Sequence, residues 1–499
     1  MKKNWNSPEA GLKKRRRVKL STEKNEASGM SETNEAARDM YLETAEALLK
    51  LISLSPDCFH VADNLKTMLD MQGFSELREN ERWELQPGRN YYVMRNGSSL
   101  IAFRLPGPDF RGFRIIASHS DSPSFKIKEN PELPGADCYV RLNTERYGGM
   151  LMAPWFDRPL SAAGRVFAEV TDAASAANLP AELDPELKKL LTGKKRIEQR
   201  LVNIDRDLLM IPSLAIHMDR KVNEGKSLNP QKDLLPLLGS GAVKGRFAKI
   251  VAEAAGVAPE QILSSDLYLY DRTAPSVWGA DREFISSPRL DDLECAFCTF
   301  FGFQRAVNDT DVPVYALFDN EEVGSQTRQG ALSTFLADGL RRICLARGLR
   351  EEDYLRCVAQ SLMVSADNAH GVHPNHPEKA ALTSRPRLGD GVVIKFGPRY
   401  ATDGPSAALF RKLLETAGVP QQVYFNHSDV PGGGTLGNLS GTQVSMHTVD
   451  VGLSQLAMHS SCETAGEADT GYLIRAMAAA FSSRIRETGP ECFALETRA

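Results

Sequence analysis

Four short polar motifs in this 499-residue chain each follow an apolar, strand-like run. They are Ile115-Ile116-Ala117-Ser118-His119-Ser120-Asp121, Pro288-Arg289-Leu290-Asp291-Asp292, Ala316-Leu317-Phe318-Asp319-Asn320-Glu321-Glu322 and Met363-Val364-Ser365-Ala366-Asp367. Leu456-Ala457-Met458-His459 adds a second imidazole. Zinc takes imidazole nitrogen and carboxylate oxygen, and a catalytic site keeps one position for water. His119 and Asp121 stand two apart at a strand end, so they share a face. That suits a histidine ligand whose second ring nitrogen is held by a carboxylate. Glu321 and Glu322 are like charges side by side at the end of a buried strand, which is costly unless something positive neutralises them. Two divalent ions would do so, leaving one glutamate to bind metal and the other to act as general base. Asp291, Asp367 and His459 complete a set of two histidines, two aspartates and a glutamate. Such a dinuclear hydrolase set polarises a carbonyl and activates water.

Groups spread this far along the chain need a framework that gathers them. In open α/β sheets the ligand crevice lies beyond the carboxyl ends of the strands. Strand and helix signals alternate beyond Asp291, as in a mixed, largely parallel sheet flanked by helices. Helices are predicted over 34–54, from Val61 to a stop at Gly73, and over 293–307, 406–417 and 472–485. Runs at 91–94 and 100–103 flank Asn96-Gly97, a hairpin signal because both turn positions call for positive φ. Between about 124 and 262 the texture turns Pro-, Ala- and charge-rich, and none of the four ligand motifs falls there. This stretch reads as an inserted domain, with residues 34–123 and 263–499 forming the catalytic unit. No internal repeat is visible.

The apolar content of 42% suits a globular protein, and no apolar run approaches the ~20 residues a membrane helix needs. A net charge of −4 conceals an asymmetry, since the first 29 residues carry nine Lys or Arg against three Glu. The rest of the chain is therefore mildly acidic, and residues 1–33 read as a disordered basic tail. The cluster at 13–17 lacks the interleaved aromatics of a nucleic-acid site and reads as solvated, so neither a nucleic-acid nor a membrane partner is expected. Met30 is a candidate true start. No apolar run follows the charges as in a secretory signal. Eight cysteines without a regular framework argue for reduced thiols and a cytoplasmic home. Cys295 and Cys298, the one close pair, have the periodicity of a buried helix face.

The stretches Ser118-His119-Ser120-Asp121-Ser122-Pro123, Ser287 to Asp292, Asp319-Asn320-Glu321-Glu322-Val323-Gly324-Ser325, Ser365-Ala366-Asp367 through His373-Pro374-Asn375, and Met458-His459-Ser460 resemble the M18 aminopeptidases, which include the aspartyl aminopeptidases. The likeness runs in matching order from about residue 38 to about 485. The resemblance implies two zinc ions per subunit, with manganese or cobalt as alternatives, and Asp291 as the bridging ligand. His119 and Asp367 would complete one site, and Glu322 and His459 the other. Glu321 would be the base that takes a proton from the attacking water and returns it to the leaving amine, and Asp121 the orienter of His119. Peptides with a free amino terminus would be the substrates. The family also implies that the insert is a β-rich dimerisation domain, with dimers building a tetrahedral dodecamer.

Further residues carry open readings. His217 either reaches a partner subunit's site to hold the substrate carbonyl or is a satisfied core histidine. His370, His373 and His376 recur every three residues, but Pro374 and Pro377 preclude a helix, so an ordered loop near the site or at a subunit contact is expected. Lys395 ends an apolar strand and could receive an acidic substrate side chain, with a snorkelling surface lysine as the alternative. The following Gly397-Pro398-Arg399-Tyr400-Ala401 departs from the family's Asn-Gln-Arg-Tyr-Ala, which leaves acidic and neutral amino-terminal preference both open. Gly432-x-Gly434-x-x-Gly437 matches a dinucleotide fingerprint, yet the preceding strand is distant and Pro431 stands before the first glycine, so it reads as a close-packed loop. A dinuclear amidohydrolase acting on non-peptide amides is the nearest rival function.

Overall fold

Three apolar runs, Phe113–His119, Val312–Phe318 and Leu362–Ala366, are buried along their whole length. Continuous burial is what a strand covered on both faces requires. They lie side by side and parallel at the centre of a nine-stranded mixed sheet, with Phe113–His119 in the middle of the three. His447–Gly452 continues the parallel run, and Val392–Lys395 joins it antiparallel. On the other side the sheet turns antiparallel through the hairpin Asn90–Arg95 and Ser99–Arg104, whose turn holds Asn96 at φ 59° and Gly97 at φ 69°. The structure is a computed structural model that describes residues 32–107, 109–171 and 195–496. The basic tail around 13–17 and Met30 thus falls outside the described residues. The described residues from Met40 onward belong to one unit.

Strand alternation sorts the core into two layers. Ile115, Ala117, Val314 and Ala316 pack with Phe335, Leu336, Leu340 and Tyr354 from the helices Phe335–Ala346 and Glu351–Ala359. Tyr315 points the other way, meeting Phe300 and Phe303 of helix Leu290–Arg305 at 5.6 and 6.2 Å between ring centroids. Helix Glu467–Ser482 lies against the same helix, with Phe481 5.3 Å from Phe303. Helix Gly404–Ala417 starts where Asp403 accepts the Ser406 N–H, and it ends at Gly418 in the left-handed region. The sequence extends the last predicted helix to 485, but the helix stops at Ser482 and Ile485 belongs to the hairpin strand Arg484–Gly489. Arg114, 1% exposed at the base of the central sheet, explains the anchoring there. It donates to the carbonyls of Phe113, Gln360, Ser483 and Ile485 and pairs with Asp311 at 2.8 Å.

A second sheet runs in the order Lys195–Asn203, Leu160–Thr171, Ile262–Asp271, Ser124–Gly135, Tyr139–Tyr147, Leu237–Ser240, antiparallel throughout. Phe125, Leu142, Trp155, Val166 and Leu267 form its own core, with Phe247 and Val251 of helix Arg246–Ala255. Strand Ile262–Asp271, which the sequence reading places beyond a boundary at 262, is hydrogen-bonded into the middle of this sheet. Gly164 shows why its partner strand needs a glycine: at φ 149° a Cβ would lie 2.0 Å from the Asp266 carbonyl oxygen.

A third, five-stranded sheet has the order Ser276–Trp278, Phe284–Ser287, Glu463–Gly466, Ser454–Leu456, Ala369–His370. Its strands are short, and the turns between them stand beside the carboxyl ends of the central sheet.

Candidate metal centre

The ends of the central strands place His119, the Asp319-Asn320-Glu321-Glu322 turn and Asp367 next to one another, as the parallel register Phe318↔His119 requires. Asp291 arrives differently. After strand Phe284–Ser287 of the small sheet, Arg289 turns the chain at φ 60° so that Asp291 and Asp292 stand at the head of helix Leu290–Arg305. His459, itself at φ 66°, sits in the turn between Ser454–Leu456 and Glu463–Gly466.

These five residues meet. Asp291 Oδ1 is 3.6 Å from His119 Nε2, and Asp291 Oδ2 is 3.3 Å from His459 Nε2. His119 Nε2 also lies 4.0 Å from Asp367 Oδ1, and His459 Nε2 3.3 Å from Glu322 Oε2. The ligand atoms of His119, Asp291, Asp292 and Asp367 all fall within 4.8 Å of one another, and so do those of Asp291, Glu322 and His459. Asp291 is common to both groups. Its Oδ1 and Glu322 Oε1 are buried without a hydrogen-bond partner, which a native fold seldom tolerates unless something else satisfies them. Nitrogen and carboxylate donors in this number fit zinc.

The electrostatics point the same way. Burial, and then the charge on Asp291, pushes Glu322 well above the carboxylate range. Burial also raises Asp367. Glu321 is pushed up to about 8 by burial, with Asp367 and Asp121 adding to it against the pull of His119. Burial works against ionisation of Asp291 as well, but His119 and His459 outweigh it and hold Asp291 low. His119 is raised although burial opposes it, because Asp292, Asp121 and Asp291 surround it. His459 reaches about 9 against burial, chiefly through Asp291. A histidine binds metal in its neutral form, so each imidazole would give up a proton to a cation.

Asp121 holds His119 and the glutamate turn together. His119 Nδ1 is 3.0 Å from the Asp121 main-chain oxygen and 3.4 Å from Oδ1. The Asp121 carboxylate accepts the N–H groups of Glu321 and Glu322 at 3.1 and 3.2 Å. Two acids that the sequence reading gave no role do comparable work on the main chain. Glu463, 1% exposed, accepts the N–H of Asp291 at 3.0 Å and that of His459 at 2.6 Å, so one carboxylate fixes two candidate ligands. Asp292 accepts the His119 N–H at 3.0 Å. Neither has a sequence signal beyond being an acid near a ligand.

The remaining candidates spread out. Lys395 is buried beside Asp367: its Nζ donates to the carbonyls of Asp367 and Asn368 at 2.7 and 2.8 Å, lies 3.5 Å from Asp367 Oδ2, and stands 5.5 Å above the Tyr400 ring. His370 is exposed at the end of the small sheet, 6.0 Å from Tyr424. His373 and His376 face each other on an exposed loop, ring centroids 5.1 Å apart. His217 is also exposed, so it is not a core histidine within this chain, and Leu214, Ile216 and Met218 around it are exposed too. Cys295 and Cys298 are fully buried on their helix, where Cys295 donates to Asn368 Oδ1 and Cys298 to the Thr470 carbonyl. In the glycine-rich stretch a Cβ at Gly437 would meet Asp450 Oδ1 at 2.5 Å, and Gly437 lies inside the six-residue helix Leu436–Gly441.

Comparison with known proteins agrees with this geometry. The profile of the family described as Aminopeptidase I zinc metalloprotease (M18) matches residues 51–481. A probable M18 family aminopeptidase 2 of Clostridium acetobutylicum is 42% identical over 443 residues, covering 87% of this chain and 97% of that protein. Among solved structures, a chain of the Ape4 and Nbr1 complex aligns with TM-score 0.81 and 32% identity, over 89% of this chain and 86% of its own length. The mApe1 dodecamer of S. cerevisiae aligns with TM-score 0.72 and 26% identity, over 88% and 96%. With the profile spanning most of the chain and a relative this similar over nearly its full length, the protein belongs to the M18 family of zinc metalloaminopeptidases, hydrolases of peptide amino termini.

Proposed function

We propose that the chain is a dinuclear zinc aminopeptidase that removes the amino-terminal residue of peptides, with preference for Asp or Glu at that position. The observation that carries the reading is Asp291, whose two carboxylate oxygens face two different histidines, His119 at 3.6 Å and His459 at 3.3 Å. His119 and Asp367 would hold one ion and Glu322 and His459 the other, with Asp291 shared. When bound, the two ions supply Lewis acidity toward the scissile carbonyl and lower the pKa of water. Glu321 is the proton carrier: it takes the proton of the attacking water and returns it to the departing amine. Burial raises Glu321 above the ordinary carboxylate range, which makes it a stronger acceptor for the water proton than an exposed carboxylate. Asp121 keeps Glu321 and His119 in fixed relation through main-chain and ring hydrogen bonds.

The acidic preference rests on Lys395 and Tyr400 beside Asp367, with His370 and His373 on the adjoining loop. One observation favours a neutral preference instead. Lys395 is 2% exposed and already donates to two carbonyls, so an incoming carboxylate would have to displace them. Homo-oligomerisation, dimers joining into a tetrahedral dodecamer, is supported by the S. cerevisiae neighbour and by the exposed apolar side chains flanking His217, with Met218 77% exposed. In such an assembly the second sheet would be the dimerisation domain and His217 would reach a partner's site. A cytoplasmic home is supported by eight free cysteines. No described helix is long and apolar enough to cross a membrane.

The test is a kinetic panel of Asp, Glu, Leu and Lys aminoacyl substrates beside N-acylated counterparts, with defined zinc, manganese or cobalt. Release from free amino termini alone, fastest for Asp and Glu, is expected. Equal cleavage of the N-acylated set would replace the aminopeptidase with an amidohydrolase, and fastest release of Leu would overturn the acidic preference.

A further inference from the structure

Tyr147 ends strand Tyr139–Tyr147 of the six-stranded sheet, which supplies none of the five candidate ligands. Its hydroxyl nevertheless lies 2.7 Å from Asp121 Oδ2 and 2.7 Å from Asn320 Nδ2. The direction of both bonds can be assigned. Asn320 Oδ1 accepts from Thr327 Oγ1 and Gln329 Nε2, each at 2.7 Å, so the amide presents its NH2 to the tyrosine. The hydroxyl therefore accepts from Asn320 and spends its single proton on Asp121. The ring has little freedom, standing edge-on to Tyr268 at 5.3 Å and 79°.

Both partners of the hydroxyl control Glu321. Asp121 accepts the Glu321 and Glu322 N–H groups, and Asn320, at φ 61°, opens the turn Glu321–Val323. The backbone after Tyr147 touches the same turn: at Gly148, φ 81°, a Cβ would lie 3.1 Å from Glu322 Cβ. We infer that Tyr147 is a positioning residue for Glu321, and that through its hydroxyl the six-stranded sheet sets where the base stands. Tyr147 acts only through Asp121 and Asn320. The inference rests on the reading of Glu321 as base.

Tyr147→Phe tests it in the full-length, metal-loaded protein, since the substitution keeps the ring and deletes one oxygen. Tyr268→Phe serves as control, because it removes a hydroxyl from the same sheet without touching Asp121 or Asn320. Loss of an outer hydrogen-bond partner of this kind costs on the order of tenfold. Expected for Tyr147→Phe are a kcat lower by about tenfold, a KM within about twofold, and metal content and assembled mass equal to wild type. Asn320→Ala should depress kcat as well, and the double variant should fall short of the product of the two effects. An unchanged kcat overturns the inference. So does a loss of metal or assembly that accounts for the whole activity loss, or an equal loss in Tyr268→Phe. A wild type that, fully loaded, releases no amino-terminal residue would instead defeat the aminopeptidase reading itself, so the two failures are distinguishable.

Discussion

The nine-stranded and five-stranded sheets both deliver candidate ligands to the proposed metal centre, and they do so by different physical means. The large sheet carries His119, Glu322 and Asp367 at or beyond the ends of buried parallel strands, where strand register brings them together and hydrogen bonds to Asp121 and Asp292 lock the main chain of Glu322 and His119. The small sheet carries Asp291 and His459 on turns that pass through left-handed residues, Arg289, Ala457 and His459. No register fixes those two. Glu463 does, through one hydrogen bond to each main chain. One half of the candidate centre therefore combines strand register with the Asp121 and Asp292 hydrogen bonds, and the other relies on the Glu463 carboxylate.

Substitutions can break this contrast at graded cost. Asp291→Ala removes the residue common to both groups, and we expect activity to fall by at least about four orders of magnitude with both metals lost, measured by turnover and elemental analysis. Glu321→Gln should lower kcat by about 10²–10⁴ while metal content stays at the wild-type level. Glu463→Gln keeps one strong acceptor of two. It should weaken metal binding about 10–100-fold, read by chelator competition, with kcat largely recovered at saturating zinc. A weaker loss from Glu463→Gln than from a change in strand register would show that the small sheet holds its own geometry.

The smallest effect concerns stability. Asp469, fully buried at the start of helix Glu467–Ser482, accepts the N–H groups of Gly389 and Gly391, and burial pushes it up to about 7 from 3.8. A folded pKa above the unfolded value means that the folded state retains its proton longer. Stability then declines as pH rises from about 4 to about 7 and is level beyond. Asp469→Asn imitates the protonated acid, so its Tm should match wild type near pH 4 and gain on it toward pH 7. A Tm difference that stays constant with pH would show that the hydrogen bonds cancel the effect of burial.

The sequence was informative where chemistry coincides with pattern. His119 and Asp367 stand out because uninterrupted apolar runs lead to them, and Asn96-Gly97 because its φ values leave few alternatives. Asp291 and His459 were read from their motifs too, and family likeness added which of the two proposed ions each would hold. The roles of Glu463, Asp292 and Tyr147 stayed hidden for a physical reason. Each acts on a main-chain N–H or a neighbouring side chain brought close only by folding, as with Glu463 and Asp291, 172 residues apart. Lys395 was visible as a strand-end cation, but its engagement with the Asp367 and Asn368 carbonyls depends on neighbours that spacing cannot reveal.

Arg114 carries a practical corollary for anyone shortening the molecule. The family profile stops at 481, two residues short of Ser483, the first of two late carbonyls that this guanidinium needs. A cut guided by similarity alone would take two acceptors from a buried cation at the foot of the very strand that ends in His119, leaving it Asp311 and two carbonyls. Damage done at the tail would thus be felt first beneath His119, at the opposite end of the same strand.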